Sequence, residues 1–335
     1  VSELEIIDMH THLQRNAAHG QEMRDYFLGP HLVKAGAPNL GTLDEFQEMM
    51  AMTGISAFNA LMLTWSGRYL RHGRHTLSDD PQERDSGELE LRRRISQRVH
   101  DNNSWAAETA RRNSNMGFFA GVNPVVMGPD GAVAEIEAQI ANGALGVKLS
   151  PGDMGVPGSD PVMMPVYEHC VAKEIVMLTE TGGHSPHVRP GGFSGALATF
   201  PTLTLVFAHF GHDKQLGGPL DQEVLELAQR YENVYTDTSL RLSEVYDGTI
   251  QPESMVKHLR ALGIDRAMFG TNYVFSDVLN VRPGHIAAPE HVDPRFTQVW
   301  KSVQVLKTLP ITDEERVGLA AGTFRRLTGF NPPRG

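Results

Sequence analysis

The sequence predicts an α/β protein, a (β/α)8 TIM barrel with long insertions after its first and second strands. Three observations predict it. Eight short apolar runs, many of them β-branched, are spaced along the 335 residues. Stretches with helical periodicity separate them. No GxGxxG follows any of the runs, as an open dinucleotide-binding sheet would require. Alternating strands and helices imply parallel strands, and eight such units of this total length suggest closure into a barrel within one domain, 1–335.

The strands read as 5–12 (EIIDMHTH), 55–63 (ISAFNALML), 117–126 (GFFAGVNPVV), 144–149 (ALGVKL), 175–181 (IVMLTET), 203–209 (LTLVFAH), 234–239 (VYTDTS) and 267–272 (AMFGTN). GAVAEIEAQIAN before the fourth and DQEVLELAQRYE before the seventh have helical spacing. Residues 13–53 and 64–116 are the long insertions. Within the second, the carboxylate–arginine alternation of 70–101 reads as a salt-bridged, solvated helix, with a subunit contact as the other use of such a face. Residues 182–200 and 276–296, rich in Gly, Pro and His, are expected to rim the mouth of the barrel.

Composition narrows the function. The net charge of −10 argues against nucleic acid or an anionic membrane as partner. A lone Cys170, in a helical stretch, excludes an intrachain disulfide and any Cys-rich metal site, and reads as a small buried residue. No apolar run is long enough to span a bilayer, and the N-terminal residues carry no signal-peptide pattern, so a cytoplasmic location is expected.

The chemistry collects at the C-terminal ends of the strands, the functional end of such a barrel. His10 and His12, two apart on strand 1, share a face. Alone they are either a ligand pair or two histidines ending an edge strand. Strand 4 adds Lys148, strand 5 Glu180, strand 6 His209 with His212 beyond, strand 7 Asp237 and strand 8 Asn272. Ligand-capable groups delivered from several strands to one face favour a metal centre. Phe58, Leu63, Trp65, Tyr69, Trp105, Tyr273 and Phe275 are candidates for a partly aromatic pocket.

The stretches DMHTH, GALGVKL, LVFAHFGH, FGTNY and AAGTFRRLTGF, in this order along nearly the whole chain, resemble the amidohydrolase superfamily, in its branch of aminocarboxymuconate-semialdehyde decarboxylase and relatives. Two positions depart from that branch. Glu180 stands where strand 5 usually ends in a ligand histidine, and Asn272 where strand 8 usually carries an aspartate that binds metal and moves protons. An amide can bind a metal through oxygen but accepts no proton at neutral pH.

The departures resemble an offshoot, the amidohydrolase-related dinuclear oxygenases. That resemblance implies two ions, iron and/or manganese, the first on His10, His12 and Asn272. The second would sit on His209 with His184 or His212, and Glu180 would bridge. Glu180, His209 and Asn272 would be catalytic. The implied reaction hydroxylates a small organic substrate with dioxygen and an electron donor.

Other readings stay open. One zinc or manganese ion would instead give a decarboxylase, hydrolase or hydratase with His209 as acid/base, and a barrel acting only as partner to an active homologue is a third possibility. Residue by residue, Glu180 could support a ligand histidine, His184 and His187 could be rim residues, and His212 could cap a helix. Lys148 reads as a packed lysine paired with a carboxylate, Asp237 as orienting His209 or its loop, and Asp8 as open between ligand and support. A homo-oligomer, or a hetero-oligomer with a related barrel chain, is expected.

Overall fold

The computed structural model describes residues 4–32, 38–183, 185–279 and 286–333. Its eight strands are β1 (Ile7–Thr11), β2 (Ala57–Leu61), β3 (Met116–Gly121), β4 (Gly146–Leu149), β5 (Met177–Thr179), β6 (Leu205–Phe207), β7 (Val234–Asp237) and β8 (Ala267–Met268). They pair in sequence order, each parallel to the next. The ring closes between β1 and the residues after β8. Met9 N donates to the Phe269 carbonyl at 3.0 Å, Asn272 N to His10 at 2.8 Å and His12 N to Tyr273 at 2.5 Å. The predicted α/β barrel is the observed fold.

Each strand is shorter than the apolar run that signals it, for local reasons. The third run ends at Gly121 because the Asn123 side chain accepts from Val125 N and Val126 N, capping a helical turn that opens with Pro124. The eighth ends at Met268 because Phe269 N turns away to the Leu319 carbonyl. Strand residues are buried almost throughout, as expected of a parallel sheet covered by helices. Ile7, Leu61, Phe119, Leu178, Val206 and Met268, from six strands, meet in one buried cluster with Phe324 of the C-terminal helix.

The two insertions fold as helices. The first carries α1 (Ala17–Leu32) and α2 (Leu43–Thr53), the second α3 (Ser66–Arg74) and α4 (Pro81–Arg112). Asp80 caps α4 by accepting from Gln82 N and Glu83 N, at 3.0 and 3.1 Å, with Pro81 at the first helical position. Leu91, Ile95, Val99, Asn103 and Ala106 form its buried stripe. The rest is the salt-bridged surface that the alternation predicts: Glu88 pairs with Arg74 and Arg92 at 2.5 and 2.8 Å, and Glu90 with Arg93 at 2.7 Å. Cys170 is fully buried, and burial pushes its thiol up to about 12. Among the described residues, no helix is long and apolar enough to cross a membrane.

Candidate metal centre

Asp237 is the hub of the buried groups at the strand ends. It is fully buried and collects four donors. Oδ2 accepts from His10 Nδ1 at 2.8 Å. Oδ1 accepts from His209 N at 3.2 Å, from Ser239 N at 2.9 Å and from the Ser239 hydroxyl. Burial would raise this carboxyl; the contacts with His10, His209 and Ser239 outweigh it and hold the group well below the carboxylate range. Asp237 is therefore a charged acceptor, and the tautomers follow from it. His10 must carry its proton on Nδ1, which leaves a lone pair on Nε2. Ser239 gives its proton to Asp237, so its oxygen accepts from His209 Nδ1 at 2.6 Å. That leaves the lone pair of His209 on Nε2 as well.

His10, His209 and Asp237 form a buried cluster whose potential ligand atoms all lie within 4.8 Å of one another. A second convergence shares His10. Its Nε2 lies 3.2 Å from His12 Nε2, which lies 3.0 Å from Asn272 Oδ1. Neighbouring ligands on an ion with bonds of about 2.0–2.1 Å stand about 3.3 Å apart in a tetrahedron, so the spacing fits a metal. His10 then has the usual arrangement of a ligand histidine, its far nitrogen held by a carboxylate. All three histidines are shifted down, chiefly by burial, with Lys148 adding to the effect on each. Neutral imidazole is the form that binds metal.

The backbone explains the placement. β1 changes register between Asp8 and Thr11, yet the two histidines still converge. Asp8 supports them from beneath by accepting from His10 N at 3.2 Å and from Thr271 N and Oγ1 at 3.0 and 2.5 Å. Burial pushes its carboxyl up to about 7. With its oxygens so engaged, Asp8 is support and not a ligand. After β6, His209, Phe210, Gly211 and His212 all have positive φ, and this turn stacks the His209 ring on His10 at 4.6 Å.

Several predicted residues stand elsewhere. Glu180 lines the same cavity, but its carboxylate lies against the Gly152 backbone, and it is not among the groups that converge with the histidines. Burial raises it, with Lys148 opposing. His212 Nε2 lies 3.4 Å from Glu244 Oε1, and its ring stands 5.8 Å from that of His209 at the same cavity. Burial works against ionisation of Glu244, but His212 and Arg241 prevail and hold it at about 2. His184 lies outside the described residues, as do 280–285 of the predicted rim.

Lys148 corrects the sequence reading: among the described residues no carboxylate lies within ion-pair distance of it, and it lines the cavity, 4% exposed. Burial pulls its ammonium down to about 8 against the opposing charges of Glu180 and Asp237. Of the expected aromatic lining, Trp65 and Phe275 are present with Leu63, Phe275 stacked on His12 at 4.1 Å. Phe58 and Tyr273 belong to the core and Trp105 packs against it, while Tyr69 lines a neighbouring cavity. Residue type alone does not reveal which face of a strand or helix these four occupy. Ser239 and Glu244 were missed. Ser239 follows Asp237 by two residues on the same strand end, a signal that was available; nothing in the sequence marks Glu244.

A barrel carrying a buried His–His–Asp cluster at its strand ends belongs to the class of metal-dependent barrel enzymes. The sequence profile described as Amidohydrolase matches residues 94–316, well over half of the chain, and the chain belongs to that family. Solved structures agree in fold. The 5-carboxyvanillate decarboxylase of Sphingomonas paucimobilis is 15% identical with a TM-score of 0.64, over 98% of this chain and 100% of that one. A dihydroxybenzoic acid decarboxylase of Polaromonas sp., with bound manganese and the inhibitor 2-nitroresorcinol, is 12% identical at 0.67, over 99% and 98%. A probable 2-pyrone-4,6-dicarboxylic acid hydrolase of Acinetobacter baumannii, with citric acid bound, is 12% identical at 0.56, over 97% and 100%. No curated protein matches the chain in sequence.

Proposed function

We propose that the chain is a decarboxylase of small aromatic or unsaturated carboxylic acids, using one divalent ion held by His10 Nε2, His12 Nε2 and Asn272 Oδ1. The observation that carries the reading is the convergence of these three atoms at 3.2 and 3.0 Å with an amide, not a carboxylate, on the third. Hydrolysis needs a base to activate water, and Asn272 cannot supply one. Loss of carbon dioxide needs no activated water. Similarity to decarboxylase structures, one of them holding manganese, supports the same choice.

When bound, the ion would polarise a substrate oxygen and stabilise the negative charge that develops. This chain's own residues do the rest. The bond from the carboxylate carbon to the substrate breaks, carbon dioxide leaves, and the electron pair stays on the substrate carbon. His209 Nε2, the nitrogen left open by the Ser239 bond, takes up a proton from solvent and passes it to that carbon. Burial lowers the basicity of His209, so once protonated it gives the proton up readily. Leu63, Trp65 and Phe275 keep water away from the reacting carbon.

The dinuclear oxygenase suggested by Glu180 and Asn272 is the less supported reading. Its bridge would have to be Glu180, which lies against Gly152 apart from the histidine cluster. Elemental analysis combined with turnover under nitrogen separates the two. About one manganese or zinc per chain and oxygen-independent release of carbon dioxide from hydroxybenzoates are expected. Two irons per chain, lost on Glu180→Ala, with oxygen consumed during turnover, would establish the oxygenase instead.

A further inference from the structure

Lys148 is the one lysine or arginine among the described residues that line the cavity. Its side chain is 4% exposed, and its ammonium makes no hydrogen bond or ion pair with any described residue. A buried lysine is normally paired, because an ammonium removed from water without an acceptor is costly. The two nearby carboxylates do not serve it. Asp237 spends its oxygens on His10, His209 and Ser239, and Glu180 lies against Gly152. The ammonium thus stands unsatisfied at the wall of a cavity of about 250 Å3, whose other walls include Leu63, Trp65 and Phe275.

We propose that Lys148 is the carboxylate anchor of this cavity, selecting anionic over uncharged ligands by pairing its ammonium with the substrate carboxylate beside Leu63, Trp65 and Phe275. This inference rests on the functional reading above, that the substrate is a small carboxylic acid. A cation paired with the carboxylate stabilises the bound substrate and not the departing carbon dioxide. Lys148 therefore contributes to substrate binding, and its removal should raise KM without lowering kcat.

The test is calorimetric and needs no turnover. 2,6-Dihydroxybenzoate and its uncharged amide, 2,6-dihydroxybenzamide, are titrated into the full chain, once stripped of metal and once loaded with manganese. Wild type, Lys148→Met and Lys148→Arg are compared, with manganese content and melting temperature measured for each. Wild type is expected to prefer the acid over the amide by at least about tenfold, the usual worth of a hydrogen bond to a charged group. Lys148→Met should lose that preference, and Lys148→Arg should retain part of it, while all three hold the same manganese per chain.

An unchanged preference in Lys148→Met overturns the anchor and leaves the decarboxylase reading standing. Loss of manganese in Lys148→Met also overturns it, by placing the lysine in the metal site. Failure of wild type to bind the acid in either metal state overturns the anchor and the functional reading together. Should Lys148→Met fail to fold, Lys148→Gln carries the same comparison, because it too removes the charge.

Discussion

At the scale of single residues, the centre depends on one carboxylate, Asp237, which orders the histidines around it. Asp237 fixes the His10 tautomer, and through Ser239 it fixes that of His209. Asp237→Asn replaces an acceptor by a group that is half donor, and His10 loses the partner that turns Nε2 toward His12. Manganese affinity is expected to fall about 10–100-fold while the barrel still melts cooperatively, as read by metal titration beside a melting curve. Asn272→Asp acts in the opposite direction. A carboxylate 3.0 Å from His12 Nε2 adds a negative charge to the ligand set, so manganese should bind more tightly than in wild type. It also restores a proton acceptor, and ester hydrolysis absent from wild type is the expected gain.

At the scale of elements, the turn after β6 does the placing. Four consecutive positive φ values, 59°, 54°, 86° and 51°, bring His209 over His10 and turn His212 toward Glu244. Only Gly211 among the four adopts this conformation without cost. Its Cβ-free approach is also needed, since a methyl there would stand 2.7 Å from the Leu220 carbonyl oxygen. Gly211→Ala should destabilise the protein by about 1–3 kcal/mol and weaken metal binding, because the turn cannot relax without moving His209. A melting curve and a metal titration on the same preparation check both. By contrast, the exposed ion pairs of α4 have little bearing on the site, because solvent screens them.

At the scale of the whole molecule, buried ionisable groups give stability two opposing dependences on pH. His10, His12 and His209 have folded values below the ordinary 6.5. Above 6.5 they are neutral in both states and cost nothing; below it the unfolded chain takes up their protons first, so stability falls as pH falls. Asp8 and Asp277, pushed by burial up to about 7, act the other way. Between roughly pH 4 and 7 the unfolded chain has ionised them while the fold still keeps their protons, so their contribution is lost as pH rises. Asp277 accepts from Gln298 N at 2.9 Å, a bond that an amide oxygen preserves. Asp277→Asn should therefore melt above wild type at pH 8, with a narrower gap at pH 5 that closes near pH 4. An equal gap at pH 8 and pH 5 would show that Asp277 is not held protonated.

The sequence by itself determined the barrel, the end at which its chemistry lies, and His10, His12, Glu180, His209, His212 and Asn272 as members of the cavity's walls. It could do so because the periods of strand and helix are local, and every parallel strand of such a barrel presents its last residues to one mouth. The same locality fixed α4, whose cap, stripe and charges all lie within its own residues. Tertiary structure alone decided the partners: that Asp237 serves His10 as well as His209, that Glu180 faces Gly152, that Glu244 meets His212 and that Lys148 has no carboxylate partner among the described residues. Each depends on side chains brought together from distant parts of the chain. A pattern read along one segment gives the face from which a group projects; the distance to what it meets is set only when the ring of strands closes.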